Sequence, residues 1–318
     1  MIRVSIGTAN VLGLKRIKTD AKSTTAYLLN GQKCNNNCGF CPQARESKDD
    51  GSHLSRVVWP EYDTDTVIDA LKKSASTGDI QRACIQFTLC SGSFDAAKEL
   101  SKKIYSESDI PFSVSLNVPS VENARELIEA GASRISIALD AATAEIHNSI
   151  KGSDFHQKKA LIEECATLFP DKISTHVIIG LGETEFEAIS EIAQMYKLGV
   201  SVGLFAFTPV KGTALENQSP PDIGAYRRVQ MANYLLKYGF ASIEDFKFEN
   251  GRLVKIDIEK TSLSDAISSG KCFETAGCKG CNRPYYNERP GGVMYNYPRP
   301  LSPEEISDCM RESSLNLL

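Results

Sequence analysis

The sequence predicts an α/β protein, an open partial barrel of six strand–helix units followed by a carboxyl-terminal extension. Three observations support this fold class. Short apolar runs alternate with helical patterns over the first two thirds of the chain, three cysteines follow directly after the first run, and the alternation ends after Phe207. The 318 residues are 42% hydrophobic and 24% charged, which is the composition of an ordinary globular protein.

Six apolar runs predict the strands, at residues 25–29, 82–87, 112–116, 134–139, 174–179 and 200–207. Helices are expected between them, for example over 121–130, where Ser120 can cap the start and Gly131 can end the helix, and over 183–198. Strands that alternate with helices at this spacing form right-handed crossovers and a parallel sheet. Six such units favour an open partial barrel over a closed eightfold barrel.

We divide the chain into an amino-terminal extension (1–24), the barrel (25–215) and a carboxyl-terminal extension (216–318). The last part is predicted to begin with a helix over 223–237 and a hairpin over 246–258 with Asn250-Gly251 at its tip. From Gly270 onward the sequence shows little periodicity and many turn residues. We therefore expect a bound metal to supply order that apolar burial cannot.

Composition excludes several classes of protein. A net charge of -4 argues against nucleic acid or an anionic membrane as the main partner. No run reaches the ~18 apolar residues of a membrane span, and the first residues lack the apolar core of a signal peptide, so we predict a cytoplasmic protein. Ten cysteines in such a chain indicate metal binding or catalysis rather than disulfides.

The first cysteine group is Cys34, Cys38 and Cys41, with the spacing Cys-x3-Cys-x2-Cys directly after the first predicted strand. The carboxyl end of a barrel strand is where parallel barrels carry their chemistry. Three thiolates can bind three corners of a cubic 4Fe-4S cluster and leave the fourth iron open. The alternative is a zinc loop that takes its fourth ligand from elsewhere in the chain.

These residues resemble the radical S-adenosylmethionine (SAM) superfamily. Pro42-Gln43 after Cys41, IIGLGE at 178–183 and PVKGT at 209–213 are similar to biotin synthase and its relatives. The resemblance implies that SAM binds the open iron and is cleaved to a 5'-deoxyadenosyl radical. It implies that Cys34, Cys38 and Cys41 are catalytic and that the SAM contacts are Phe40, Asp140, Ile178, Gly180, Gly182 and Glu183.

Some of these residues have structural alternatives. Asp140 can cap the helix that follows it, the two glycines can form an ordinary strand–helix turn, and Phe207 can be a core residue. Cys84 matches one ligand of the second, 2Fe-2S cluster of biotin synthase, but Ser174 stands where another ligand is expected. We therefore predict that Cys84, Cys90 and Cys165 are buried apolar side chains, and that His176 is a hydrogen-bonded core residue.

The second cysteine group is Cys272, Cys278 and Cys281, with the spacing Cys-x5-Cys-x2-Cys. Five basic residues accompany it against two acidic ones between 271 and 300, namely Lys271, Lys279, Arg283, Arg289 and Arg299 against Glu274 and Glu288. Cations stabilise thiolates bound to iron. Zinc is an equal alternative on spacing alone.

The segment ETAGCKGCNRPYYNERPGGVMYNYP at 274–298 and the start RVSIGTANVLGL at 3–14 resemble the two-protein lipoyl synthases first recognised in archaea. The resemblance implies two 4Fe-4S clusters, the second dismantled to supply sulfur. Cys309 is a candidate for its fourth ligand by elimination, and similarity to other lipoyl synthases suggests a serine oxygen as the alternative. It implies sulfur insertion at carbon 6 or 8 of protein-bound octanoyl-lysine. The partners would be a homologous second lipoyl synthase protein, an octanoylated lipoyl-carrier protein or domain, and a reductant such as ferredoxin.

Two other functions remain open on the sequence. One is a different sulfur-inserting radical SAM enzyme of the biotin synthase type, acting on a free small molecule. The other is a non-catalytic metal-binding partner that retains the barrel and binds zinc.

Overall fold

A computed structural model describes residues 1–288 and 291–315 and confirms the α/β fold class. The central sheet has eight strands, and two short hairpins lie outside it. In chain order the strands are β1 (Ile2–Val4), β2 (Thr25–Asn30), β3 (His53–Leu54), β4 (Val57–Val58), β5 (Glu61–Tyr62), β6 (Arg82–Phe87), β7 (Phe112–Ser115), β8 (Arg134–Ser136), β9 (Ile173–Ile179), β10 (Ser201–Ala206), β11 (Phe246–Glu249) and β12 (Arg252–Ile256).

The sheet has the strand order β10-β9-β8-β7-β6-β2-β1-β5. The six strands from β10 to β2 are parallel and coincide with the six predicted strands, so that prediction is confirmed. Strand β1 joins β2 in antiparallel fashion and also pairs with β5, which the sequence did not predict. In the described chain β10 and β5 are the two edges of the sheet, so the barrel is open.

Ten α-helices accompany the strands in the described residues, and those between the parallel strands cover the outer face of the barrel. They are α1 (Ile6–Val11), α2 (Thr64–Ser76), α3 (Ser93–Glu107), α4 (Val121–Glu129), α5 (Ala144–Lys151), α6 (Phe155–Leu168), α7 (Glu185–Lys197), α8 (Ile223–Lys237), α9 (Lys260–Ser268) and α10 (Pro303–Ser313). Ser120 caps α4 as predicted. Helix α7 begins at Glu185, because Thr184 and Glu187 form a capping box there.

The alternation along each strand separates an outer core from an inner cavity. On β6, Ala83 and Ile85 are fully buried in the apolar core between sheet and helices. Arg82, Cys84 and Gln86 alternate with them and line the cavity. This period of two is what gives small and polar side chains access to the inside of the barrel.

The carboxyl-terminal extension contributes to the same apolar core as the barrel helices, through residues such as Tyr226, Leu253 and Phe273. Hydrogen bonds from α8 also order its last part. Arg227 donates to the Tyr295 carbonyl at 2.7 Å, and Tyr226 donates to Asn296 at 2.9 Å. These bonds join the last part of the extension to α8.

Helix α10 was not predicted, although Ser302, Pro303 and Glu305 form a capping box with proline in the first turn. The hairpin β11–β12 and helix α8 match their predicted positions. In the described residues, no helix combines the length and apolar character needed to cross a membrane.

Candidate active site

The first cysteine group lies on a loop between β2 and β3, and backbone hydrogen bonds fix its shape. The amide of Cys34 donates to the Gln43 carbonyl at 2.8 Å, and the amide of Cys41 donates to the Cys38 carbonyl at 3.0 Å. The amide of Asn35 donates to the carbonyl of Leu89, just after β6, at 2.6 Å. The loop is therefore held at the carboxyl end of two neighbouring strands.

The three thiols are ligand atoms that suit a bound metal cation. Burial raises the pKa of Cys38 to about 11, and burial and then the neighbouring Cys38 thiol raise the pKa of Cys41 to about 12. The sulfur of Cys34 accepts hydrogen bonds from the amides of Asn36 and Leu89, at 3.4 and 3.3 Å. The positive charge of bound iron would offset the free-energy cost of ionising these thiols. The loop therefore fits a cluster held by three thiolates.

An arginine that sequence reasoning missed braces this loop. Arg3 on β1 donates to the side-chain oxygen of Gln43 at 3.1 Å and to the Gly31 carbonyl at 2.8 Å. The amide nitrogen of Gln43 donates in turn to the Gly51 carbonyl at 2.8 Å. The Pro42-Gln43 pair thus has a structural role, and β1 links the amino terminus to the cysteine loop.

Asp140 lies in the cavity wall and forms a buried ion pair. Its carboxylate is 2.7 Å from the ammonium of Lys151, and the two side chains are 12% and 9% exposed. Helix α5 is capped by Thr143, so the alternative role of Asp140 as a cap is wrong. Lys151, which the sequence did not single out, also donates to the Ala138 carbonyl at 2.6 Å and so fixes the position of the carboxylate.

The residues at the end of β9 and in the glycine-containing turn after it line two different pockets. Ile178 lines the main cavity, whereas Gly180, Gly182 and Glu183 line a separate pocket beside α7. The Glu183 carboxylate accepts hydrogen bonds from the amides of Gly180 at 2.6 Å and Leu181 at 3.0 Å. A Cβ on Gly180 would lie 2.8 Å from the Pro221 ring, so close packing requires this glycine.

Ile178 belongs to an apolar cluster near the cysteine loop. Phe207, Ala141 and Leu181 are buried at its centre, and Phe40 and Ile178 pack against them. Phe207 is thus a core residue and also part of the cavity wall. This cluster offers an apolar surface against which an aromatic ring can pack.

The main cavity runs through the barrel from the carboxyl ends of the strands to their amino ends. Its volume is about 260 Å³. Phe40, Cys41 and Pro42 line one end, and Cys278, Cys281 and Arg283 line the other. Between them the strands contribute hydroxyl groups of Thr25, Ser113, Ser115, Ser136, Ser174 and Ser201. Cys41 of the first cysteine group and Cys278 and Cys281 of the second therefore line one continuous space.

The three residues of the second cysteine group lie in two different environments. Cys278 and Cys281 line the cavity. Cys272 is 4% exposed and lies in the apolar core, where burial and then the nearby Cys309 thiol raise its pKa. Cys84 lines the cavity beside Cys278 and Cys281, so our interpretation of it as a merely buried apolar side chain was incomplete. Burial, and then the Cys281 and Cys278 thiols, raise the pKa of Cys84 to about 12. By contrast, Cys165 is fully buried in the outer core, as predicted.

Arg283 supplies the positive charge at this end of the cavity. Its side chain is buried and donates to the Cys281 sulfur at 3.2 Å and to the Ala276 carbonyl at 2.7 Å. The guanidinium carbon is 4.1 Å from the centre of the Phe205 ring. Among the other basic residues of this segment, Arg299 pairs with Glu305 at 2.8 Å, and Arg289 lies outside the described residues.

His176 lines the same cavity as a neutral hydrogen-bonding group. Its Nε2 is 3.3 Å from the Ser136 hydroxyl, and its ring packs edge-on against Phe205 with 5.1 Å between the ring centres. Burial lowers its pKa to about 4. The predicted hydrogen-bonded histidine is thus present, but its position is the cavity wall.

In residues 1–288 and 291–315, one group of three potential metal ligands has its ligand atoms within 4.8 Å of one another; it consists of Asp49, Asp50 and His53 and contains no cysteine.

The comparison with protein families decides the superfamily. A family model of the radical SAM superfamily matches residues 31–196, which is more than half of the chain and includes the first cysteine group. The chain belongs to the radical SAM superfamily. A radical SAM protein uses a 4Fe-4S cluster and SAM, and here Cys34, Cys38 and Cys41 are the residues that fit the cluster. No curated protein matches the sequence.

Solved structures of radical SAM enzymes share the fold. HydG, a maturase of FeFe-hydrogenase, has a TM-score of 0.55 at 13% identity over 72% of this chain and 52% of its own. HydG from Carboxydothermus hydrogenoformans gives 0.52 at 16% identity, over 74% and 56%. Methylornithine synthase (PylB) gives 0.53 at 14% identity, over 73% and 65%. The chain thus spans between 52% and 65% of the length of these structures, and the likeness concerns the fold alone.

Proposed function

We propose that this radical SAM protein is a lipoyl synthase subunit that inserts sulfur at carbon 6 or 8 of a protein-bound octanoyl-lysine. The observation that carries the proposal is the single cavity lined by Cys41 at one end and by Cys278 and Cys281 at the other. A radical site and a second metal site that share a cavity suit a reaction in which one activates a carbon and the other supplies an atom to it.

The substrate carbon explains why two such sites are needed. No side-chain base can remove a proton from an unactivated methylene, so the cofactor must carry that step. When bound, SAM on the first cluster supplies a primary carbon radical that removes a hydrogen atom, and a second 4Fe-4S cluster supplies the sulfur. The chain's own residues then bind, orient and exclude water.

Side chains at the carboxyl end of the barrel fit the parts of SAM. Cys34, Cys38 and Cys41 would hold the first cluster. The Asp140 carboxylate, fixed by Lys151, is available to accept a hydrogen bond from a ribose hydroxyl. Phe40 and Ile178 present the apolar face for adenine. We retain Gly180, Gly182 and Glu183 as SAM contacts of the proposal, although in this structure they line the neighbouring pocket.

The middle of the cavity suits an aliphatic chain. Tyr27, Phe205 and Tyr286 form an apolar wall near Cys281 that excludes water from a radical intermediate. Positioning is the main contribution of a protein in such a reaction. Reactants held in the right geometry react in an effectively unimolecular step, which is faster than a reaction between free molecules. The octanoyl-lysine would enter through the open mouth of the cavity.

The proposal includes partners and a compartment. A homologous second lipoyl synthase protein would act with this chain, an octanoylated lipoyl-carrier protein or domain would present the substrate, and a reductant such as ferredoxin would supply electrons. We propose that the reaction takes place in the cytoplasm.

Anaerobic incubation with SAM, dithionite and an octanoylated carrier tests the proposal. We expect Cys41→Ala to lose 5'-deoxyadenosine formation, because the first cluster lacks a ligand. Cys278→Ala should still form 5'-deoxyadenosine but no thiolated octanoyl product. Cys165→Ala, a change in the outer core, is the control. Thiolation of dethiobiotin with no octanoyl product would overturn the lipoyl assignment in favour of a biotin synthase type, and zinc in place of iron would favour a non-catalytic partner.

A further inference from the structure

We propose that Cys84, Cys278 and Cys281 are the cysteine ligands of the second iron–sulfur cluster, and that Cys272 is not one of them. This inference rests on the proposed function, because it assigns the ligands of the cluster that would supply sulfur. The ligand set joins a barrel strand to the carboxyl-terminal extension. Sequence spacing alone had instead grouped Cys272 with Cys278 and Cys281.

The register of the parallel sheet brings Cys84 next to Cys281. Strands β2 and β6 pair Tyr27 directly with Cys84, so the two side chains point to the same side of the sheet. The Tyr27 hydroxyl is 3.4 Å from the Cys281 sulfur. Cys84 and Cys281 also pack against one apolar cluster that contains Tyr27 and Tyr286. The strand residue and the tail residue therefore share one environment.

Hydrogen bonds fix the tail loop at the amino end of these strands. The hydroxyls of Thr24 and Thr25 both donate to the Gly280 carbonyl, at 2.7 and 2.8 Å. The amide of Thr24 donates to the side-chain oxygen of Asn282 at 3.1 Å. The backbone between Cys278 and Cys281 is thus anchored to β2, and the position of its sulfurs is set by the barrel.

Arg283 makes this end of the cavity suitable for several thiolates. It is buried, it donates to the Cys281 sulfur, and its guanidinium is held by the carbonyls of Leu204 and Ala276. The amide of Arg283 donates to the Tyr27 hydroxyl at 2.8 Å, which leaves the phenol proton free to point at Cys281. A fixed cation and a phenol donor offset the charge of thiolates that bind iron.

Cys272 lies in a different environment. It sits on a short 3₁₀ helix, Lys271–Phe273, and packs in the outer core with Cys309, which is fully buried. The side chain of Phe273 beside it is also fully buried. Cys272 and Cys309 would have to leave the apolar core to reach the cavity. Cys309 is therefore excluded together with Cys272 as a cavity ligand.

The test removes the first cluster so that iron reports on the second site alone. The background variant carries Cys34→Ala, Cys38→Ala and Cys41→Ala, and after anaerobic reconstitution we expect about four irons and four sulfides per chain. Adding Cys84→Ala should leave about half of that iron or less and should change the low-temperature electron paramagnetic resonance spectrum. Adding Cys272→Ala, the matched control, should leave iron and spectrum unchanged.

A second measurement needs no variant at the ligand positions. The reconstituted background variant is treated with iodoacetamide before and after a chelator removes the iron, and the modified cysteines are mapped by mass spectrometry. Cys84, Cys278 and Cys281 should react only after iron removal, because the cluster protects ligating thiols. The reactivity of Cys272 should be the same in both samples.

The outcomes separate the ligand set from the function. Iron retained in the Cys84→Ala variant but lost in the Cys272→Ala variant overturns the ligand set and leaves the proposed function intact. If both variants lose iron, the alkylation pattern decides whether Cys84 is a ligand. Cys84 that reacts equally with and without iron also overturns the ligand set. A background variant that binds zinc, or no metal, removes the second cluster and with it the proposed function.

Discussion

Replacing Lys151 by methionine tests the buried ion pair that fixes Asp140. The two side chains are 9% and 12% exposed and 2.7 Å apart, so the change leaves a largely buried carboxylate without its cationic partner. It also removes the donor to the Ala138 carbonyl. Breaking a buried pair by removing one partner costs about 3 to 5 kcal/mol. We therefore expect Lys151→Met to lower the free energy of unfolding by at least about 3 kcal/mol.

The assay is urea unfolding of the iron-free protein, followed by circular dichroism under reducing conditions. Arg125→Met is the matched control, because Arg125 pairs with Glu122 on the surface, where the side chains are 42% and 68% exposed. An exposed pair contributes about 1 kcal/mol or less. The double variant Lys151→Met/Asp140→Asn should be more stable than Lys151→Met, since no uncompensated charge remains. Equal losses for Lys151→Met and Arg125→Met would refute the reasoning.

Three further predictions concern the two cysteine sites. Gln43→Ala should lower the iron bound by the first cluster, measured in a Cys278→Ala background, because the loop loses its bonds to Arg3 on β1 and to the Gly51 carbonyl; iron content equal to that of the background would contradict the bracing role. Arg283→Met should shift the midpoint potential of the second cluster to more negative values in an electron paramagnetic resonance titration, since removing a cation disfavours the reduced form; an unchanged potential would contradict this. Gly277→Ala should lower iron at the second site, because its φ is +141° and a Cβ would lie 3.1 Å from Arg283; Gly78→Ala, at φ +76° with nothing within 4 Å, should leave iron unchanged.

The parallel strands and the outer core could be predicted from the sequence because their signals are local. An apolar run of four to eight residues bounded by turns identifies a buried strand wherever it lies in the chain. The six predicted strands, helix α8 and the hairpin β11–β12 all follow from such patterns. Strand β1 is short and pairs with β2 across an intervening helix, so its local sequence carries little information about its partner.

The arrangement of the second site could not be predicted, because it depends on contacts between distant parts of the chain. Cys278 and Cys281 are close to Cys84 only because the tail loop is bonded to the start of β2. Spacing in the sequence suggested Cys272 instead, but the intervening residues carry Cys272 into the outer core. Arg3 and Lys151 were missed for the same reason, since neither is close in sequence to the whole group that it orients.

Isotope labelling of the second cluster tests the central claim most directly. The chain is reconstituted with ³⁴S sulfide and incubated anaerobically with SAM, dithionite, the octanoylated carrier and the unlabelled homologous protein. We expect mass spectrometry of the carrier peptide to show one ³⁴S atom in the lipoyl product, because this chain supplies one of the two sulfurs from its own cluster. A lipoyl product with no ³⁴S would contradict the claim that a cluster in this chain is the source of sulfur.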